Sequence, residues 1–163
     1  MTQPTAIITP ITTHPNTLYH HLKHLNYFMF LDSQSNPQQH ISIMAWNPYA
    51  TLNYQNQKCQ VQLYHPKLTQ TQNPTPSTQN PFDIIQELIM ICPNTQIENS
   101  PFNGGAIGYI AYNAHPLTTS KPIPYQDTKI PSIDIGFYNQ FIITNQQKQQ
   151  SHWVYIPLSH TDT

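Results

Sequence analysis

Apolar and polar positions alternate along much of this chain. Cys59-Gln60-Val61-Gln62-Leu63 alternates without a break, and His40 to Trp46 sets Ile41, Ile43 and Ala45 on one face with Ser42, Met44 and Trp46 on the other. A period of two predicts half-buried antiparallel strands. Asn26 to Ser33 reads as an apolar strand that ends abruptly in an acid and a hydroxyl. Ala50 to Tyr54, Ile133 to Ile143 and Trp153 to Pro157 read as further strands, separated by turn signals at Asn47-Pro48, Asn56-Gln57-Lys58 and Gln146 to Gln150. Ala6-Ile7-Ile8, set between prolines, suits a short edge strand.

Two stretches change to the helical period. Leu18, Leu22 and Leu25 recur between Asn16 and Leu25, with Asn16 or Thr17 as the N-cap. Further on, Phe82, Ile85, Leu88, Ile89 and Cys92 form an apolar face behind an Asn80 cap, with Pro81 at the first helical position and Asp83 in the first turn. Pro93 stops that helix. Residues 65–81 hold hardly an apolar side chain and read as a flexible surface loop; Ala114 to Pro131 is proline-rich and irregular. The pattern predicts an α+β fold, a mostly antiparallel β-sheet meander with two helices, in a single domain over 1–163.

The sequence turns on Pro101 to Asn113. Three of the four glycines, Gly104, Gly105 and Gly108, fall within it. Gly-Gly permits a positive φ or a close backbone approach, and the apolar run Ala106 to Tyr112 reads as a buried strand entered from a tight turn. It is no phosphate cradle, because no Gly-Lys-Ser/Thr opens a helix and no third spaced glycine precedes one.

Composition narrows the function classes. The 163 residues are enough for one domain with a real core. Charged residues make up 8%, arginine is absent, and the net charge is -1, which removes the electrostatic basis for binding nucleic acid or an anionic membrane. Cys59 and Cys92 form no CxxC pair and read as buried free thiols of a reducing, cytoplasmic compartment. No signal-peptide pattern opens the chain, and no run approaches the roughly 18 apolar residues of a membrane span.

No catalytic constellation emerges. The seven acids form no convincing pair, and Ser33 and Ser42 lack the glycines of a nucleophile elbow. His20 and His24 share a helical face, but no cysteine or carboxylate completes a metal site. Metal and cofactor are therefore expected to be absent from this chain.

The order of these features resembles the N-terminal region of the chorismate-utilising large subunits, aminodeoxychorismate synthase component I and anthranilate synthase component I. Phe30-Leu31-Asp32-Ser33 is similar to the family's strand ending in an acid and serine. His40 to Leu52 resembles its Arg-Tyr/Phe-Ser-Ile…Asp-Pro…Thr-Leu stretch, and Pro81-Phe82 opens the helix as the family's Pro-Phe does. Phe102 to Asn113 looks like its Phe-x-Gly-Gly-x-x-Gly-Tyr-x-x-Tyr-Asp block, in which Gly104, Gly105, Gly108 and Tyr109 are the marks. Ile133 to Asn139 is similar to its Pro-Asp…Gly-x-Tyr-Asp strand. The resemblance spans about residues 18 to 156 and is closer to the aminodeoxychorismate branch. His40 stands where an arginine is expected, and Asn47, Asn113 and Asn139 stand where aspartates are.

The resemblance implies an incomplete half of a larger two-part fold. The chorismate-binding domain, with its Mg²⁺ and its acid-base residues, is expected outside this chain, which would be inactive alone. It implies a scaffold or regulatory role in para-aminobenzoate and folate synthesis, with a separate chorismate-binding catalytic chain and a glutamine amidotransferase subunit as partners. It further implies a tryptophan site to which Leu31, Asp32, Ser33 and His40 would contribute. A strand-end cap remains an equal reading of Asp32 and Ser33. A small module binding an aromatic amino acid or a partner protein, and a vestigial fragment of anthranilate synthase component I, remain the alternatives.

Overall fold

Nine strands and two helices of two or more turns appear in this computed structural model, which describes residues 5–33, 40–69, 79–98, 100–112, 114 and 130–158. In chain order they are β1 (Ile7–Ile11), α1 (Pro15–Leu22), β2 (Met29–Asp32), β3 (Ile41–Ala45), β4 (Ala50–Gln55), β5 (Lys58–Leu63), the helical turn α2 (Pro66–Thr69), α3 (Pro81–Ile91), β6 (Gly105–Ile110), β7 (Ile133–Tyr138), β8 (Gln140–Asn145) and β9 (Gln150–Tyr155). The fold is α+β with two antiparallel sheets. Contacts divide the chain into two compact units. The first holds Met1–Pro48, Met90–Gly105 and Tyr138–Thr163; the second holds Tyr49–Ile89 and Ala106–Phe137.

The first unit is built on a five-stranded sheet in the order β1-β9-β8-β3-β2. Its core includes Phe141 and Ile156, both fully buried, and Phe102 meets Phe141 edge-on at 4.8 Å between ring centres. Tyr19 of α1 contacts Phe28 and Phe30, each at 5.7 Å. The α1 cap differs from the expected Asn16 or Thr17: His14 Nδ1 accepts from the Asn16 N–H at 3.3 Å, and Pro15 opens the helix. Proline's fixed φ suits that position, which moves the cap one residue upstream of it. β1 is the expected edge strand, and its Pro10 is tolerated there because an edge leaves one side of the backbone unpaired.

The second unit is built on a four-stranded sheet in the order β5-β4-β7-β6. Leu52, Ile133 and Phe137 are fully buried in it. Asn56 and Gln57 form the β4–β5 hairpin tip with φ of 51° and 61°, the positive values that a two-residue turn of matching twist demands. Asn80 caps α3 as expected, its Oδ1 accepting from the Phe82 N–H at 3.0 Å. The buried face of α3 is rotated from the predicted one: Pro81, Ile84 and Leu88 are buried, whereas Ile89 is exposed. Apolar residues fill both registers of this helix, so periodicity alone does not choose between them. The Tyr49 hydroxyl, donating to the Leu88 carbonyl at 2.8 Å, fixes the observed one. Within the predicted loop 65–81, residues 66–69 form a helical turn with Leu68 buried, while 70–78 lie outside the described residues.

Ile133 to Ile143 is not one strand. β7 belongs to the second unit's sheet and β8 to the first's, and the break falls at Asn139. Asn139 is buried, its Nδ2–H donates to the Ile156 carbonyl at 2.9 Å, and its own carbonyl accepts from the Ile156 N–H at 2.8 Å.

The glycine stretch is a backbone corner, and it leads into an edge strand rather than a buried one. Gly104 has φ +82°, and a Cβ there would lie 3.0 Å from both Cys92 Sγ and Ile156 Cδ1. From Gly108 onward β6 is exposed. At Gly108 the approach to β7 is closest: a Cβ would stand 2.1 Å from the Asp134 carbonyl oxygen and 2.6 Å from Ile135 Cα. Backbone atoms cannot rotate aside as a side chain can. Gly108→Ala is expected to destabilise the fold by about 3 kcal/mol. Gly105→Ala, which meets nothing within 4 Å, should lose about 1 kcal/mol through its positive φ alone. Denaturant unfolding of both variants checks the order.

Candidate functional site

Strand alternation sorts the four candidate ligand residues onto two faces. Leu31 pairs with Ile43, and Asp32 with Ser42, so consecutive residues of β2 point to opposite sides of the sheet. Leu31 is exposed on the Ile43 side. Asp32 shares its side with Ser42 and with His40, whose Nε2 lies 3.5 Å from Asp32 Oδ1. That separation gives an ion pair when the imidazole is protonated. It is not a hydrogen bond, and His40 Nε2 has no such partner among the described residues. Ser33 turns back on the backbone: its hydroxyl donates to the Ile41 carbonyl at 2.9 Å and accepts from the Ile41 N–H at 2.9 Å, beside a backbone bond of 3.1 Å. The structure thus brings Asp32 and His40 together, binds Ser33 into the strand end, and sets Leu31 on the other face.

Asp32 also begins a polar row that the sequence did not reveal. The register links Asp32, Ser42, Thr144 and Ser151 across four adjacent strands. Ser42, Thr144 and Ser151 are all buried. Gln146 Nε2 donates to Ser42 Oγ at 2.9 Å, and the Thr144 and Ser151 hydroxyls bond each other at 2.9 Å. The row opens onto a hollow of about 730 Å³ lined by Thr144, Gln146, Ser151, His14 and Asn16. It sets neutral hydroxyl and amide groups, already bonded to one another, in line with one carboxylate at the far end. Alternation in His40 to Trp46 put Ser42 on one face, but only the strand register shows what lies beside it.

Burial also acts on the thiols and on one further carboxyl. Burial pushes the Cys92 thiol up to about 11 and raises that of Cys59 as well. Asp134 is raised by burial, and its Oδ1 has no hydrogen-bond partner among the described residues. The Tyr109 hydroxyl donates to the Pro131 carbonyl at 3.2 Å. Among the described residues no three His, Cys, Asp or Glu side chains gather as a metal site, and no helix is long and apolar enough to cross a membrane.

No family model matches the chain. Over 147 residues it is 29% identical to aminodeoxychorismate synthase component 1 of Escherichia coli strain K12, a match that covers 86% of this chain and 30% of that protein. The chain is related to the chorismate-utilising component I family. It also shares the fold of anthranilate synthase component I from Streptococcus pneumoniae TIGR4, at a TM-score of 0.58 and 23% identity, over 96% of this chain and 32% of that one. The chain therefore spans about a third of the length of either relative.

Two expectations test this geometry. Thr144→Val leaves the buried Ser151 hydroxyl without its partner and should cost about 2 kcal/mol, while adding Ser151→Ala should recover part of the loss; a urea double-mutant cycle measures both. Both thiols should resist Ellman's reagent at pH 8 in the native state and react on unfolding, because their thiolates are disfavoured. The folded Cys92 holds its proton more tightly than the unfolded one. Its contribution to stability is therefore complete below pH 9 and is lost as the pH rises toward about 11.

Proposed function

We propose that this chain is the N-terminal scaffold portion of an aminodeoxychorismate synthase component I-like protein of para-aminobenzoate and folate synthesis, and that it is not catalytic by itself. The observation that carries this reading is a match running over 86% of the chain but only 30% of the relative. On this reading the chorismate pocket and its Mg²⁺ belong to a chorismate-binding catalytic half, and a glutamine amidotransferase subunit supplies ammonia. The chain alone should leave chorismate unconsumed. Mixed with a chorismate-binding half and ammonia, it should raise chorismate consumption well above that half alone; absence of any rise in the chorismate absorbance assay would remove the scaffold role.

A second element of the proposal is a contribution to tryptophan binding at the β2–β3 end. The Asp32–His40 pair favours it, as two groups of opposite charge potential facing the same side of the sheet. Ser33 would act through the strand end that it fixes, and Leu31 would offer apolar contact on the other face. With the rest of the site outside this chain, affinity should be weak, with a Kd on the order of 1 mM. Calorimetric titration of tryptophan into the wild type and Asp32→Ala decides it. Equal isotherms would reject binding at this motif.

A further inference from the structure

The five-stranded sheet has a second face, opposite the one that carries Asp32, Ser42, Thr144 and Ser151. Ile143 pairs with His152, and Ile8 with Val154, so the strand period sets these four residues together on that face. A pocket of about 190 Å³ opens there. The sheet supplies Ile8, Ile143 and Val154 to its lining, the segment after α3 supplies Ile97 and Glu98, and the β8–β9 turn supplies Lys148. All of these lie in the first unit.

The apolar part of this lining is branched aliphatic, and the charged part is one acid and one base. Charged residues make up only 8% of the chain, so two of opposite sign at one small pocket stand out. Yet among the described residues Glu98 and Lys148 form no ion pair with each other. Their backbones are tied in place. The Ser100 N–H donates to the Ile97 carbonyl at 3.1 Å, and the Ile97 N–H to Asn103 Oδ1 at 3.2 Å, closing the turn that carries Glu98. The Lys148 N–H donates to Asn145 Oδ1 at 3.0 Å. Two anchored turns therefore bring one acid and one base to the same aliphatic pocket.

We infer that this pocket takes a free aliphatic α-amino acid, its ammonium toward Glu98, its carboxylate toward Lys148 and its side chain against Ile143 and Val154. Three restrictions select that occupant. The pocket is smaller than the roughly 300–1,000 Å³ of sites for drug-sized ligands, so the occupant is small. The aliphatic lining matches an alkyl group. A simple carboxylate would meet Glu98 as a like charge, and a simple amine would meet Lys148 as one, whereas a zwitterion suits both. An amino acid within a polypeptide carries neither charge, which sets the free molecule apart from a chain segment. Glu98 and Lys148 are exposed, so their attraction is screened, and a ligand this small binds weakly, with a Kd on the order of 1 mM. The inference rests neither on the scaffold reading nor on the tryptophan proposal, whose Asp32 belongs to the opposite face.

An NMR titration of the whole chain with L-leucine at low ionic strength, following the isoleucine and valine methyl signals, tests it. The expected result is a saturable shift of Ile97, Ile143 and Val154. Isocaproate and isoamylamine, which are leucine without its ammonium and without its carboxylate, should each bind more weakly by about threefold. Glu98→Gln and Lys148→Gln should weaken leucine by a similar factor, the exchange Glu98→Lys with Lys148→Glu should recover part of the loss, and Asp32→Ala should change nothing. The spectra of the unliganded variants report whether each keeps the fold. No saturable shift into the tens of millimolar overturns the inference. So do equal shifts with leucine, the acid and the amine, which would mean apolar contact alone, or shifts confined to the β2–β3 end, which would place the amino acid at Asp32 instead.

Discussion

The chain's one-residue change of sheet at Asn139 is the constraint on which the rest of the first unit depends. β7 and β8 form one apolar run in sequence but belong to different sheets, so the backbone must turn in a buried place where its polar groups need partners. Asn139 meets that demand with two bonds to Ile156. Ile156, held there, fills the space beside Gly104, where a Cβ would press on Ile156, on Cys92 and on the Tyr138 carbonyl at 3.2 Å. The glycine corner lies against this crossing, and with φ +82° and these neighbours 3.0–3.2 Å from a Cβ, a side chain at 104 would be strained. The resemblance led to an aspartate at 139. An ionised carboxylate cannot donate to the Ile156 carbonyl, whereas the amide can, so in this structure asparagine is the residue that satisfies the site.

Much of this architecture could be read from residues, and the parts that could not share a cause. The alternating strands β3, β4 and β5 and the Asn80 cap depend on local pattern, and local pattern located them. The break at Asn139 did not show because both halves of Ile133 to Ile143 are buried and apolar, and period two runs through a change of sheet without a mark. The turn of α3 about its axis was equally hidden. With apolar residues at 82, 84, 85, 88 and 89, either face makes a plausible stripe, and the tertiary bond from Tyr49 to Leu88 decides between them. His14 as a cap was missed because imidazole is an uncommon capping acceptor.

The candidate site follows the same division. That Leu31, Asp32 and Ser33 are consecutive in a strand already means that they cannot all face one pocket, and the structure bears out that geometry. What the residues could not supply is register. Ser42, Thr144 and Ser151 become neighbours of Asp32 only when four strands align, over more than a hundred residues of chain. Single serines and threonines in alternating strands look like ordinary outward-facing residues until the sheet is assembled.

The neutral character of these contacts sets how the protein responds to its surroundings. Exposed charges lose much of their attraction at physiological salt, and a chain held by many surface ion pairs is loosened accordingly. Here the interior polar contacts run between amides, hydroxyls and backbone groups: Asn139 with Ile156, Gln146 with Ser42, Thr144 with Ser151, Tyr138 with the Tyr27 carbonyl at 2.7 Å. None of these titrates between pH 5 and 8, and none is screened by salt. The Asp32–His40 pair sets two chargeable side chains 3.5 Å apart at the one strand end where a ligand role was expected, and Asp32 is aligned with Ser42 at the head of the row that these neutral bonds support.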